Sequence, residues 1–453
     1  MSAKKTLTIS VKTKAWIHDI LQSEFSRQVE SVELQLGSNN TQVYTVTIAA
    51  GSNVRTNKTS TRTTRSTCGV QKERVPQPGT ETLPADTTTV ILRFTDAGAD
   101  LNDTIQVQNE VAAYSLARIA LASLDEPVTP RIYGWRSVNL DTKVSGWILQ
   151  EHMHGVGLND EVLKKLDRAA KHSVLTDITR IFHLLQQYKL PVSVVGYGGF
   201  NFDDDGQVTT GPTTIHGATK ACATYHELYY QYLQTQIQRM DMCDVVQGWQ
   251  DTPDLRARID AFVERGFQPL LGRFIEANPR PVLVHGDMRC TTLTAEKDLQ
   301  NFLYDPQTSR ITALVDWSFS HVASLYDEYF YSFPELFHIV TPEDPTSPSN
   351  AIRRALLHGL VSVSDEDKAG APMADWTLIE QTNAAFVVES VIRPVDLMPG
   401  IDTLSDLYWF IQNLSPGMFY MSRVRAKMGP QRIQAVKRNA KDSLEQTLKR
   451  WGY

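Results

Sequence analysis

The sequence predicts an α+β protein with a small β-rich N-terminal lobe and a larger, mainly helical C-terminal lobe. Three observations predict it. Between residues 31 and 153, short alternating or buried-type apolar runs dominate, with one helix among them. From about residue 158 onward the apolar spacing changes to the three-to-four residue period of amphipathic helices. Within that helical half, two short apolar strands each run into an aspartate.

The elements follow in order. Residues 16–25 place Trp16, Ile17, Ile20 and Leu21 at helical spacing. Val32, Leu34 and Leu36 alternate, a Gly-Ser-Asn-Asn turn follows, and residues 43–48 alternate again, which predicts a hairpin. Residues 90–94 (VILRF) read as a buried strand, 109–124 as a helix and 144–153 as another strand. Residues 51–88 break the pattern: Ser, Thr, Arg, Pro and Gly dominate, and little is available to bury. A mobile insertion is expected there, basic through Arg55, Lys58, Arg62, Arg65, Lys72 and Arg74. The N-lobe is expected to span 1–155 and the C-lobe 156–453. Helices are expected at 160–188, 223–243 and 253–277, with an Asp-Gly hairpin over 198–212, strands within 281–320 and a basic C-terminal helix.

The 453 residues are 42% hydrophobic and 21% charged, enough to bury a core. Lys+Arg 45 against Asp+Glu 51 leaves −6, which excludes a bulk nucleic-acid coat. The four cysteines are scattered and form no CxxC pair, which argues against a disulfide framework or zinc knuckle. The first residues lack an apolar stretch, and no run approaches the roughly 18 residues a bilayer crossing needs. A cytoplasmic protein without membrane partners is expected.

The segments VLVHGDMRC and ALVDWSF carry the chemistry. Each is a strand that delivers a carboxylate to its C-terminal end, with Asp287 and Asp316 only 29 positions apart. Phosphoryl transfer needs such a pair: one carboxylate takes the proton of an acceptor hydroxyl, the other holds Mg²⁺ on nucleotide phosphates.

On these words the sequence resembles the aminoglycoside phosphotransferase and choline kinase-like family, in its fungal branch. His285-Gly286-Asp287 and Val315-Asp316-Trp317 are the strongest matches; Gly199-Phe200-Asn201-Phe202 with Gly211-Pro212 is similar to a signature of the fungal members. The resemblance covers roughly residues 31–330 and implies a two-lobed, protein-kinase-like fold with ATP and Mg²⁺ in the cleft. It implies Asp287 as catalytic base and Asp316 as the metal-binding aspartate. It also matches Gly37, Ser38 and Asn39 to a phosphate-covering turn, Arg93 to the strand lysine with Glu110 as its helix partner, and Gln150, Glu151 and Met153 to the interlobe hinge. Two departures stand out. Thr292 occupies the position five past Asp287 where the family has a metal-binding Asn, which weakens one metal site. Arg289 stands where a phosphate contact is possible.

The function expected is therefore an ATP- and Mg²⁺-dependent small-molecule phosphotransferase of fungal secondary metabolism. The acceptor is expected near Asp327, Glu328 and Tyr329, a set that equally suits an ordinary helix start. Two alternatives stay open. One is other chemistry on the same scaffold, such as aminoacyl-tRNA-dependent cyclodipeptide synthesis, with tRNA held by basic segments 55–74 and 423–450. The other is a pseudokinase-like binding protein.

Overall fold

The computed structural model describes residues 9–35, 41–51, 76–95, 102–138, 145–214, 217–275, 279–288, 301–332, 350–372, 374–398 and 400–453. Its N-terminal lobe is a five-stranded antiparallel sheet in the order β1-β2-β3-β5-β4: β1 (Val29–Leu34), β2 (Thr41–Ile48), β3 (Thr89–Thr95), β4 (Ile132–Arg136) and β5 (Trp147–Glu151). Alternation in β3 decides what lies on each face. Val90, Leu92 and Phe94 pack into an outer core with Tyr44, Val46 and Leu149. Helix α1 (Val11–Phe25) closes that core with Ile17, Ile20 and Leu21, and Trp16 stacks on Phe94 with centroids 4.3 Å apart. The opposite face carries Arg93 and meets α2 (Asp103–Ala120).

The chain leaves the sheet through 152–155 and pairs at once with C-lobe strands. β6 (Val156–Gly157) joins β10 (Phe302–Asp305) and β11 (Arg310–Leu314) in the order β11-β10-β6. Between them in sequence lie α3 (Asp160–Lys165), α4 (Arg168–Gln187), hairpin β7 (Gly199–Phe202) and β8 (Val208–Gly211), α5 (Tyr225–Met242), α6 (Pro253–Arg265), α7 (Phe267–Ile275) and β9 (Val282–Val284). Then follow β12 (His321–Ala323), which pairs with β9, and α8 (Leu325–Tyr331). The remainder is helical: α9 (Asn350–His358), α10 (Asp365–Gly370), α11 (Trp376–Val388), α12 (Pro394–Leu397), α13 (Ile401–Leu414), α14 (Gly417–Tyr420), α15 (Ser422–Ala426) and α16 (Pro430–Trp451). One large apolar core runs from α2 through the C-lobe to α16. The protein is thus a two-lobed, kinase-like α+β fold.

Two long helices of the sequence reading are each divided. The 160–188 segment restarts at Asp167, whose carboxylate accepts the Ala170 N–H at 2.8 Å as a fresh N-cap. The 253–277 segment divides at Gly266 into α6 and α7. The expected insertion also shortens. Residues 52–75 lie outside the described residues, but 76–88 are anchored by backbone groups, which apolar content did not reveal. Gln77 exchanges two hydrogen bonds with the Trp135 main chain, at 2.9 and 3.2 Å, and the Trp135 indole donates to Pro78 O at 2.9 Å. The Arg27 guanidinium donates to Ala49 O, Ala85 O and Pro84 O, and Gly51 N–H donates to Ala85 O at 2.7 Å.

Candidate active site

The site forms where four parts of the chain converge: β3, α2 and the two segments that follow β9 and β11. Arg93 projects from the centre of β3 and is 5% exposed. Its guanidinium pairs with Glu110 on α2, and Nη2 donates to Asp316 Oδ1 at 2.9 Å. The expected strand-to-helix ion pair is therefore present. A single buried cation also bridges to the aspartate of the other lobe, each carboxylate meeting a separate nitrogen of the guanidinium fork. Burial pushes the Glu110 carboxyl up to about 7 against the opposing pull of Arg93. Burial works against ionised Asp316 too, but Arg93 and the Ser318 hydroxyl, which donates to Oδ1 at 2.7 Å, hold it below the usual carboxylate range.

Asp316 adopts φ 62°, the left-handed region, and its N–H donates to the Tyr114 hydroxyl at 3.0 Å. Two residues earlier the strand has ended at Leu314, so the turn lifts the carboxylate out of the sheet toward Arg93.

Asp287 follows β9 by three residues, beyond a turn at Gly286. That glycine has φ +79°, and a Cβ there would stand 2.8 Å from Phe319 O, so a side chain is excluded on both counts. Glu328 of α8 fixes the turn: Oε2 accepts His285 N–H at 2.6 Å and Oε1 accepts Gly286 N–H at 3.1 Å. Ser332, one helical turn on, donates to Glu328 and accepts the Met288 N–H at 2.9 Å. Burial raises Glu328 to about 7 against these donors. The His285 ring accepts Asp287 N–H at Nδ1, 3.1 Å, so Nε2 carries the proton toward Val315 O at 3.2 Å. Burial depresses this imidazole to about 4 and keeps it neutral.

Asn301, 14 positions past Asp287, links the two aspartates. Its Nδ2 donates to Asp287 O at 2.7 Å and to Asp287 Oδ2 at 2.8 Å. Its main-chain oxygen accepts Val315 N–H at 2.8 Å, one residue before Asp316. The bonds Asp287–Asn301–Val315 thus tie the Asp287 turn to the strand end that precedes Asp316. Asn301 Oδ1 receives no hydrogen bond among the described residues. Sequence reasoning missed this residue because it counted five positions from Asp287 and reached Thr292. Asn301 stands just before a short apolar run, Phe302-Leu303-Tyr304, that a Pro-Gln-Thr-Ser turn closes, and that was the available signal.

The other expected residues divide. Gln150 lies at the end of β5, 4% exposed, on the same face of the sheet as Ile148, with Oε1 buried and unpartnered. Glu151 accepts the Arg131 N–H at 3.1 Å, and Met153 is half-buried in the interlobe connector. Gly37, Ser38, Asn39, Arg289 and Thr292 lie outside the described residues, as does basic segment 55–74. Of the nine cations of 423–450, four form ion pairs with described residues of the C-lobe: Arg425 with Asp244, Lys437 with Asp251, Lys441 with Glu445 and Arg450 with Asp406.

Asp327 and Glu328 do not line an acceptor pocket. Asp327 is fully buried and accepts hydrogen bonds from Tyr225, Tyr229 and Ser324. It caps α8, as a helix-start carboxylate does, while Glu328 serves the Asp287 turn. Tyr329 is buried too, its hydroxyl donating to Ile392 O at 2.7 Å.

Among the described residues no group of three or more His, Cys, Asp and Glu side chains is gathered as for a metal ion, and no helix is long and apolar enough to cross a membrane. No protein-family model matches the chain. No curated protein matches it either. Solved structures do resemble it over nearly their whole length. A thermostable mutant of aminoglycoside phosphotransferase APH(4)-Ia, in ternary complex with AMP-PNP and hygromycin B, is 13% identical, with 96% of this chain and 98% of that one covered and a TM-score of 0.46. ADP-bound aminoglycoside phosphotransferase APH(2'')-Ib is 10% identical, with 96% and 99% covered and a TM-score of 0.48. APH(2'')-IIa, in complex with gentamicin, is 10% identical, with 97% of each chain covered and a TM-score of 0.47.

Proposed function

We propose that this chain is a small-molecule phosphotransferase that uses ATP and Mg²⁺. The observation that carries the reading is the hydrogen-bonded assembly Asp287–Asn301–Val315, with Arg93, Glu110 and Asp316 beside it. It supplies what phosphoryl transfer asks of a protein: an anchored base, a carboxylate for a cation, and a buried guanidinium for phosphate charge.

The donor set fits Mg²⁺. Asp316 offers a carboxylate and Asn301 Oδ1 an amide oxygen that receives no hydrogen bond among the described residues, both hard oxygens of the kind Mg²⁺ takes beside phosphates and water. Bound there, the cation would neutralise charge on the nucleotide phosphates. Arg93 would meet phosphate oxygens from the opposite wall, with Glu110 holding it in place. Asp287 Oδ2 is fixed by Asn301, so the carboxylate is oriented before an acceptor hydroxyl arrives and takes its proton. The connector 152–155 would meet the adenine through its backbone, flanked by Gln150 and Glu151. Arg289 and the turn at Gly37, Ser38 and Asn39 belong to the phosphate end in this reading, and a cytoplasmic place in fungal secondary metabolism completes it.

The test is nucleotide titration with product analysis against a panel of hydroxyl-bearing acceptors. Asp316→Asn should weaken Mg²⁺-AMP-PNP binding. Asp287→Asn should bind the nucleotide nearly as wild type while turnover falls about 10²–10⁴-fold, the usual contribution of a positioned base. A wild-type chain with no affinity for Mg²⁺-nucleotide sinks the proposal.

A further inference from the structure

We infer that Tyr114 is a positioning residue, whose hydroxyl holds the main chain of Asp316 in the left-handed turn that aims its carboxylate at Arg93. This rests on the phosphotransferase reading, in which Asp316 holds the cation.

Three observations carry it. First, Asp316 is an L-residue at φ 62°, held there against a steric cost. Ser26 and Ser390, which share that conformation, follow helix ends, and Ser309 turns the β10–β11 hairpin. Asp316 has no helix end or hairpin to impose it. Second, the Asp316 N–H donates to the Tyr114 hydroxyl at 3.0 Å. Neither residue belongs to the other's element: Tyr114 lies in α2, and the hydroxyl reaches across 202 positions of sequence. Third, the phenol is not free to adjust. Tyr114 is 0% exposed and packs against the indole of Trp317 at 6.2 Å between centroids. That indole is itself buried and donates to Leu314 O at 3.2 Å. The position of the hydroxyl is thus set by complete burial and by packing against a ring that is itself anchored, as a positioning group requires.

The same helix grips the segment a second time. Asn109 Nδ2 donates to Ser320 O at 3.0 Å, and its Oδ1 accepts Phe200 N–H at 2.6 Å. Glu110 acts a third time through Arg93. Helix α2 therefore sets the main chain of Asp316 through Tyr114, its side chain through Glu110 and Arg93, and the end of its loop through Asn109. A ring alone would fill the space beside Trp317. The oxygen is what the backbone uses.

The experiment uses the full chain, with Tyr114→Phe, Asp316→Asn and the double variant. Wild type, without ligand, should show a protected Asp316 amide in hydrogen exchange, although that residue lies in no helix or strand. Tyr114→Phe should speed its exchange and weaken Mn²⁺–AMP-PNP binding, each by roughly 5- to 100-fold, the range expected when a buried donor loses its only acceptor. In the Asp316→Asn background Tyr114→Phe should change Mn²⁺–AMP-PNP affinity little, because the carboxylate it aims is gone. A freely exchanging Asp316 amide in wild type overturns the inference. So does a Tyr114→Phe protein that melts earlier yet binds Mn²⁺–AMP-PNP as wild type, or one whose loss adds independently to that of Asp316→Asn. If wild type fails to bind Mn²⁺–AMP-PNP, the phosphotransferase reading falls instead, and exchange at Asp316 alone decides the role of Tyr114. If Tyr114→Phe does not fold, the wild-type exchange measurement still decides it.

Discussion

Removing the Glu328 carboxylate tests how the Asp287 turn is built. Glu328→Ala strips the acceptor from three groups at once: His285 N–H, Gly286 N–H and the Ser332 hydroxyl. Glu328 is 2% exposed, so water does not readily replace it. An unsatisfied buried donor costs about 1–3 kcal/mol, so the two N–H groups alone set an expectation of about 2–6 kcal/mol. Typical total stability is only about 5–15 kcal/mol, so the loss is large. Glu328→Gln keeps the shape and one acceptor oxygen but turns an amide N–H₂ toward a donor, and should lose about 1–3 kcal/mol. The order of urea midpoints should be wild type, then Gln, then Ala. The pH dependence has a definite sign. Burial raises the folded-state carboxyl to about 7, above the ordinary 4.5. Its own titration therefore stabilises most below pH 4.5, and that contribution is lost as pH rises through 7. Gln does not titrate, so its deficit relative to wild type should be larger at pH 5 than at pH 8. A Glu328→Ala chain within about 1 kcal/mol of wild type would refute the anchoring argument, because exposed or redundant contacts cost no more than that.

Two further outcomes are expected. Arg93→Met leaves Glu110 and Asp316 as buried carboxylates without their cation, and should destabilise by about 3–5 kcal/mol; Arg93→Lys should recover only part of this, since one ammonium lacks the fork that meets both, and denaturant titration of the two variants checks the order. His285 and His321, both fully buried and depressed to about 4, should each contribute a slope of falling stability as pH drops from 6.5 toward 4, on the order of 3 kcal/mol and opposite in sign to the Glu328 contribution. His285→Asn should flatten that slope in thermal unfolding across the same window, and an unchanged slope would remove His285 as its source.

Much of the fold was legible because its elements follow local rules. The β3 strand, the Asp-Gly hairpin and the helix starting at Pro253 are each marked by apolar period or turn chemistry within a few residues. The Arg93–Glu110 pair was legible through resemblance, because strand and helix follow each other directly. What stayed hidden depends on distant partners. β9 and β11 do not pair with each other; β9 takes β12 and β11 takes β10, a choice that strands of three to five residues do not encode. Asn301 escaped because spacing was assumed rather than read. Tyr114 and Glu328 look like ordinary helix residues until the turns they serve are in place. The anchored stretch 76–88 was misjudged because its ties run through main-chain oxygens, and those carry no compositional mark.

That stretch has a consequence for how this sequence can change over time. Gly51 N–H and Ala85 O are bonded at 2.7 Å, and Arg27 clamps Ala49, Pro84 and Ala85 from one guanidinium. Both ends of whatever lies between 51 and 77 are therefore tied by residues that do not belong to it. Once ends are fixed, doubling the enclosed length costs only about 0.6 kcal/mol of closure entropy. What the described lobe asks of that interval is that its ends reach Gly51 and Gln77, and Arg27, with the glycine that admits its side chain, holds that geometry. Variation at Arg27 or Gly51 would therefore be felt at both ends of the interval at once.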